Sequence, residues 1–88
     1  MKDYKETKVK EKVFIREFDS SLIEEYVWHR DQEDRTIEII SVDDGWQLQF
    51  DNHLPIPLSE GDNLLIKKDM FHRLIKGEGK LIIRLTKH

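Results

Sequence analysis

Apolar residues in this chain occur singly or in groups of two or three, and polar or charged residues separate the groups. No segment keeps a 3.6-residue period over the ten or more positions a helix would need, so the pattern predicts strands. Residues 9–18 read as a first strand around Val13, Phe14, Ile15 and Phe18, closed by the turn Asp19-Ser20-Ser21. Residues 24–31 read as the next strand, and residues 35–42, carrying Ile37, Ile39 and Ile40, as another. Asp43-Asp44-Gly45 then closes a hairpin onto residues 46–50, where Trp46, Leu48 and Phe50 alternate with Gln47 and Gln49 and are expected to face inward. Residues 54–58 contain Pro55 and Pro57, which lack donors on the same side and confine this piece to a sheet edge. Residues 63–67, 71–76 and 80–86 complete the series, the last two joined by Gly77-Glu78-Gly79. About eight short strands with turn signals every 8–12 residues predict an all-β fold, a small antiparallel jelly roll or barrel. Residues 1–8, rich in Lys and Glu, are expected to be a flexible, solvated tail ahead of one domain spanning residues 9–88.

Composition strengthens the β reading. The 88 residues include no Ala, the best helix former, but ten Ile, four Val, three Thr and eight aromatic residues, all suited to a pleated surface. A chain of this length forms one domain and buries only about 60–65% of its unfolded surface, so its core is thin. No apolar run exceeds three residues, against roughly 20 for a membrane helix, and the opening dozen residues contain no signal-like apolar segment. Cytoplasm is therefore the expected location, with no membrane partner. The lack of Cys fits that location and excludes disulfides, zinc ribbons and thiol catalysis.

Charge is uneven although the net is only −3. Residues 1–12 carry +2, residues 13–63 carry −10 and residues 64–88 carry +5. Acidic and basic strands that neutralise each other across a sheet account for this. A nucleic-acid partner is excluded, because no basic stripe is interleaved with aromatics and the pI is about 5.8.

Without Cys, metal ligands and proton carriers reduce to four His residues and the carboxylates. His53 follows Asp51-Asn52 in a turn and is expected to be exposed, and the final residue, His88, to be mobile. His29 and His72 instead fall in predicted strands beside apolar residues, and Asp31 lies two residues after His29, on the same strand face. His29, Asp31 and His72 make a two-His, one-carboxylate set, which on iron(II) leaves up to three positions for substrate and dioxygen. Glu33 and Asp34 are turn residues, either of which can replace Asp31 if the turn folds back. Trp28 and Arg30 point away from His29 and either cover the exterior or contribute to a homodimer contact. Lys67 and Lys68 are expected to be exposed.

From Gly61 onward the sequence resembles the second motif of the cupin superfamily, which runs Gly, five residues, Pro, one, Gly, two, His, three, Asn. Gly61 and His72 keep register, while Lys67, Asp69 and Lys76 replace Pro, the second Gly and Asn. In the first motif, His-x-His followed by Glu, His29 matches the first His, Asp31 takes the second, and Arg35 or Thr36 takes the Glu position. Its opening Gly falls on Ile23, and its closing Gly comes late, as Gly45. The resemblance covers residues 24–86. It implies a double-stranded β-helix in whose mouth His29, Asp31 and His72 converge on a divalent metal, iron(II), manganese or zinc.

Arg35 puts a fixed cation where the family has an anionic ligand. It can repel a metal, pair with Asp31, or hold the carboxylate or phosphate of a small anionic substrate through its planar fork. Two functions follow: a small metal-dependent oxygenase, isomerase or lyase, or a metal-free binding or assembly module of the same fold. A pocket for a drug-sized ligand needs roughly 300 Å³, a large demand on so thin a core.

Overall fold

The computed structural model describes residues 4–22 and 27–88. Among these residues the strands are β1 (Lys5–Lys10), β2 (Val13–Asp19), β3 (Arg35–Val42), β4 (Gln47–Phe50), β5 (Ile56–Pro57), β6 (Asn63–Ile66), β7 (His72–Ile75) and β8 (Lys80–Lys87). A single 3-10 turn, Ser20–Leu22, follows β2. No helix among the described residues is long and apolar enough to cross a membrane. The strands form two antiparallel sheets, one ordered β1-β2-β8-β3-β6 and the other β5-β4-β7. The expected all-β jelly roll is what the chain adopts.

Period-2 alternation builds the inner face of the larger sheet. Phe14, Arg16 and Phe18 of β2 lie opposite Leu85, Ile83 and Leu81 of β8. Those three lie opposite Ile37, Ile39 and Val42 of β3. Strict alternation would turn Ser41 inward, but the register shifts between Ile39 and Ser41. This bulge places one extra residue, Ile40, so that Val42 joins the core instead. Phe18, Ile39, Trp46, Leu81 and Ile83 form the buried cluster, with Tyr4, Val42, Leu58 and Leu74 packed against it.

The core sits at the end of the molecule where β3 turns into β4 and β7 into β8. Trp46 is 1% exposed, and its Nε1 donates to the Glu78 carbonyl at 2.9 Å. Glu78 N donates to the Asp44 carbonyl at 2.8 Å. A Cβ at Gly77 would strike the Asp44 carbonyl and the backbone of Gly45 and Trp46, so only glycine lets the two turns close. This closed end is tied together by backbone contacts as well as apolar packing.

The sequence pattern and the structure part at the N-terminal side. Residues 5–8, expected in a solvated tail, belong to β1, which pairs with β2. The predicted first strand over residues 9–18 is instead a hairpin, turned at Lys12 with φ of 64°. Most side chains of β1 are exposed, because the strand lies at a sheet edge with only one paired side, so its composition looks like that of a tail. The expected strand over residues 24–31 lies partly outside the described residues. Of residues 27–31, only His29 pairs, in an isolated bridge to His72. The Pro-containing piece does lie at an edge, as β5. His88 is anchored rather than free: its N donates to the Asp34 carbonyl at 2.9 Å, and its Nε2 lies 2.6 Å from the Thr36 hydroxyl.

Candidate functional site

The opposite end of the molecule carries the polar cluster. His72 opens β7 and lies opposite Phe50 of β4. On its other side it exchanges two backbone hydrogen bonds with His29, each 2.9 Å. The two imidazoles therefore stand side by side, centroids 4.3 Å apart and edge to face. Asp31, two residues on, is fixed by its own carbonyl, which accepts from Asp69 N at 2.8 Å. Asp69 has φ of 63°, a left-handed conformation that Asp tolerates better than most residues. This is where the second motif carries its second Gly, so the substitution keeps the turn that clamps Asp31. Gly61, with φ of 89°, keeps the other left-handed position.

His29, Asp31 and His72 each present one donor atom, and these atoms all lie within 4.8 Å of one another. Asp31 and His72 are buried and His29 is exposed. His72 Nδ1 lies 2.9 Å from the Met70 carbonyl, and His29 Nδ1 lies 3.2 Å from the Val27 carbonyl. A carbonyl can only accept, so each Nδ1 carries the proton, and in the neutral ring the lone pair is at Nε2. Burial, the largest influence, pushes the His72 pKa down despite the Met70 hydrogen bond, and the neighbouring His29 adds to the effect.

His72 Nε2 thus faces Asp31 Oδ2 at 3.4 Å. Asp31 is 7% exposed, and Oδ2 has no hydrogen-bond partner among the described residues. Its other oxygen, Oδ1, is 3.2 Å from Arg35 Nη1. Arg35 Nη2 lies 3.5 Å from Glu33 Oε1, and Nε is buried with no hydrogen-bond partner among the described residues. Of the three roles open to Arg35, the geometry contains the ion pair with Asp31.

Two acceptor atoms facing each other in a buried site are the arrangement a cation relieves. The separation also suits one: ligands about 2.1 Å from a common ion lie about 3.0–3.4 Å apart at octahedral to tetrahedral angles. The two nitrogens and one oxygen suit iron(II), manganese or zinc. The Nδ1 hydrogen bonds supply the outer support that fixes ligating histidines. The facing pair therefore fits a divalent metal, although Arg35 offsets the carboxylate charge, and His29 offers a third donor within 4.8 Å.

Beneath the cluster the interior is hollow. A cavity of about 360 Å³ runs from His29, Asp31, Arg35 and His72 along apolar walls to Tyr4, Arg16 and Phe18. The thin core does accommodate a ligand-sized pocket, whose walls include Phe18, Ile39, Leu81 and Ile83 of the buried cluster and Ile66 and Leu85 nearer the mouth. Arg16 carries no signal in hydropathy, yet strict alternation from Phe14 to Phe18 puts it on the inner face, and a cation in that position is the mark sequence reading passed over.

The remaining residues resolve as follows. Asp34 caps Lys68 N at 2.8 Å, and Glu33 pairs with Arg35, so neither stands in for Asp31. Arg73 lies over the Trp28 ring at 4.8 Å, and Arg30 over Phe71 at 5.3 Å. Trp28 and Phe71 thus each lie under a guanidinium group and stay partly exposed. Gln49 accepts from Arg73 Nε across the strands at 2.9 Å. His53, Lys67 and Lys68 are exposed, as expected.

No family model matches the chain, and no curated protein matches it. Solved structures do. A DMSP lyase from Ruegeria pomeroyi superposes with a TM-score of 0.71 at 13% identity, the match covering 86% of this chain and 37% of the lyase. A cupin-2 domain protein from Shewanella frigidimarina gives 0.64 at 18% identity, covering 93% of this chain and 76% of that one. A cupin domain from Bordetella pertussis gives 0.63 at 14% identity, covering 97% and 91%. The chain has a cupin-like fold.

Proposed function

We propose that the chain binds a divalent metal, iron(II), manganese or zinc, through His29, Asp31 and His72 in the barrel mouth, and acts there on a small anionic molecule. The observation that carries this reading is the buried, unpartnered Asp31 Oδ2 facing His72 Nε2 at 3.4 Å. A bound ion would supply Lewis-acid polarisation of a substrate oxygen or a lowered pKa for bound water. The chain's own residues do the rest. The Met70 and Val27 carbonyls hold the imidazoles with Nε2 directed to the site. Arg35 engages Oδ1 of Asp31 and leaves Oδ2 for the ion, while offsetting the carboxylate charge that would attract it. The apolar cavity walls keep bulk water from the bound molecule. The lyase among the structural neighbours is consistent with a cupin barrel hosting such chemistry and says nothing of this chain's reaction.

The ion pair itself favours a second reading. If Arg35 satisfies Asp31 fully, the barrel is a metal-free binding module of the same fold. Metal analysis separates the two. The wild type, loaded with iron(II), manganese or zinc and desalted, should retain about one ion per chain, and His72→Ala should retain far less. Sub-stoichiometric metal in the wild type under all three conditions rejects the metal reading.

A further inference from the structure

We infer that the inner end of the cavity is a carboxylate-binding subsite built on Arg16, and that the molecule this barrel takes is a small monocarboxylic acid with an apolar body. The inference names a ligand class for the cavity whose mouth carries the proposed metal site, and to that extent rests on that reading.

Arg16 sits mid-strand in β2, opposite Ile83 and between two inward-facing phenylalanines, Phe14 and Phe18. Its side chain is 14% exposed and lines the cavity. A cation in an apolar wall is costly unless its donors are used. One donor is: Nε reaches Glu6 Oε2 of β1 at 2.6 Å. The guanidinium plane also lies over Tyr4, 4.3 Å from the ring centroid. These two contacts fix the group from the side and from one face. The two Nη nitrogens make no hydrogen bond among the described residues, which leaves the terminal fork as a pair of parallel donors in a cavity-lining side chain. Such a fork matches the two oxygens of a carboxylate.

The neighbourhood sets the charge and shape of the ligand. Glu6 already neutralises Arg16, so a monoanion is accepted where a phosphate dianion is repelled. Between this end and the mouth the wall is apolar, with Ile37, Leu48, Ile83 and Leu85. A sugar would leave its hydroxyls unpaired there, whereas an alkyl or aryl body is matched. Along β8, Arg16 stands level with Ile83 and Arg35 with Lys87, a step of about 13 Å. A carboxylate held at Arg16 therefore directs the far end of its apolar body towards His29, Asp31 and His72.

The test compares hexanoate with its uncharged isostere hexanamide, titrated into the chelator-treated 88-residue chain and followed by two-dimensional NMR. Hexanoate should bind more tightly by about tenfold or more, the worth of a charge-assisted hydrogen bond. Shifts should centre on Phe18, Ile83 and Arg16. In Arg16→Gln the two probes should bind equally, while zinc affinity stays unchanged. Equal binding of both probes to the wild type, or binding of neither, overturns the subsite. If Arg16→Gln does not fold, the hexanoate–hexanamide difference in the wild type still decides. Tighter binding of hexyl phosphate than of hexanoate overturns the single-charge assignment. Zinc titration of the same wild-type sample keeps the two readings apart: hexanoate discrimination without zinc binding leaves the subsite standing and removes the metal, and the reverse result removes the subsite alone.

Discussion

The two ends of this barrel solve opposite problems with the same strands. At the closed end, Trp46 is 1% exposed, its single donor is paired with Glu78, and two turns meet so tightly that Gly77 has no room for a Cβ. At the open end, two side-chain atoms, Asp31 Oδ2 and Arg35 Nε, are buried without a hydrogen-bond partner among the described residues, and a cavity lies beneath them. Buried polar groups are nearly always paired in native proteins, so an exception calls for a cause. The contrast teaches that one end satisfies its buried polar groups from within the chain, whereas the other holds an arrangement that is unfavourable until something binds.

Trp46→Ala should strike hardest, because it empties the closed end where nothing else can collapse inward. The expected loss is about 3–5 kcal/mol, read as a fall in the urea midpoint, and a domain this small has little more than that in total. Zinc affinity should vanish with the fold. A variant that stays folded and cooperative would break the comparison, since the open end would then be supporting itself.

Arg35→Gln probes the other end and should behave differently. It leaves the Asp31 carboxylate buried without its cation, at a cost of about 3 kcal/mol in chelator, the lower end of the range for a broken buried pair because Arg35 keeps some exposure. Saturating zinc, at about 100 times its dissociation constant, returns about 2.7 kcal/mol. The variant should therefore recover most of its melting temperature on adding zinc, and should bind zinc more tightly than the wild type. A loss that zinc does not repair favours the metal-free module.

This division also explains what the sequence disclosed and what it hid. The closed end was legible: Trp46 and Leu48 alternate with Gln47 and Gln49, Asp43-Asp44-Gly45 marks the turn, and the aliphatic residues of β3 and β8 announce the inner wall. His29, Asp31 and His72 were legible as a set because their spacing matches a known motif. β1 was not, since the row of this edge strand that stands level with Arg16 and Phe14 carries Glu6 and Lys8 rather than aliphatic residues. Arg16 was hidden for the opposite reason: amid Phe14, Ile15 and Phe18 it reads as a lone polar residue in an apolar strand, and only the register shows it facing inward. The bulge at Ile40 was invisible because Ile39-Ile40 satisfies strand propensity on either face.

The smallest effect concerns protons. Burial holds the His72 pKa below its ordinary value of 6.5, so in chelator the unfolded chain takes up this proton at higher pH than the folded one. Stability from the neutral ring is fully present above about pH 6.5 and is lost as pH falls through the folded-state pKa. The melting temperature of the metal-free wild type should therefore drop between pH 7.5 and pH 5.5 by more than that of His72→Gln, which cannot titrate there. The closed-end contacts described for Trp46 involve no ionising side chain, so the difference between the two curves isolates the open end. Parallel curves would mean that the imidazole gains as much from Asp31 on protonation as it loses to burial. The facing pair would then be closed by a proton, which weakens the argument that it awaits a metal.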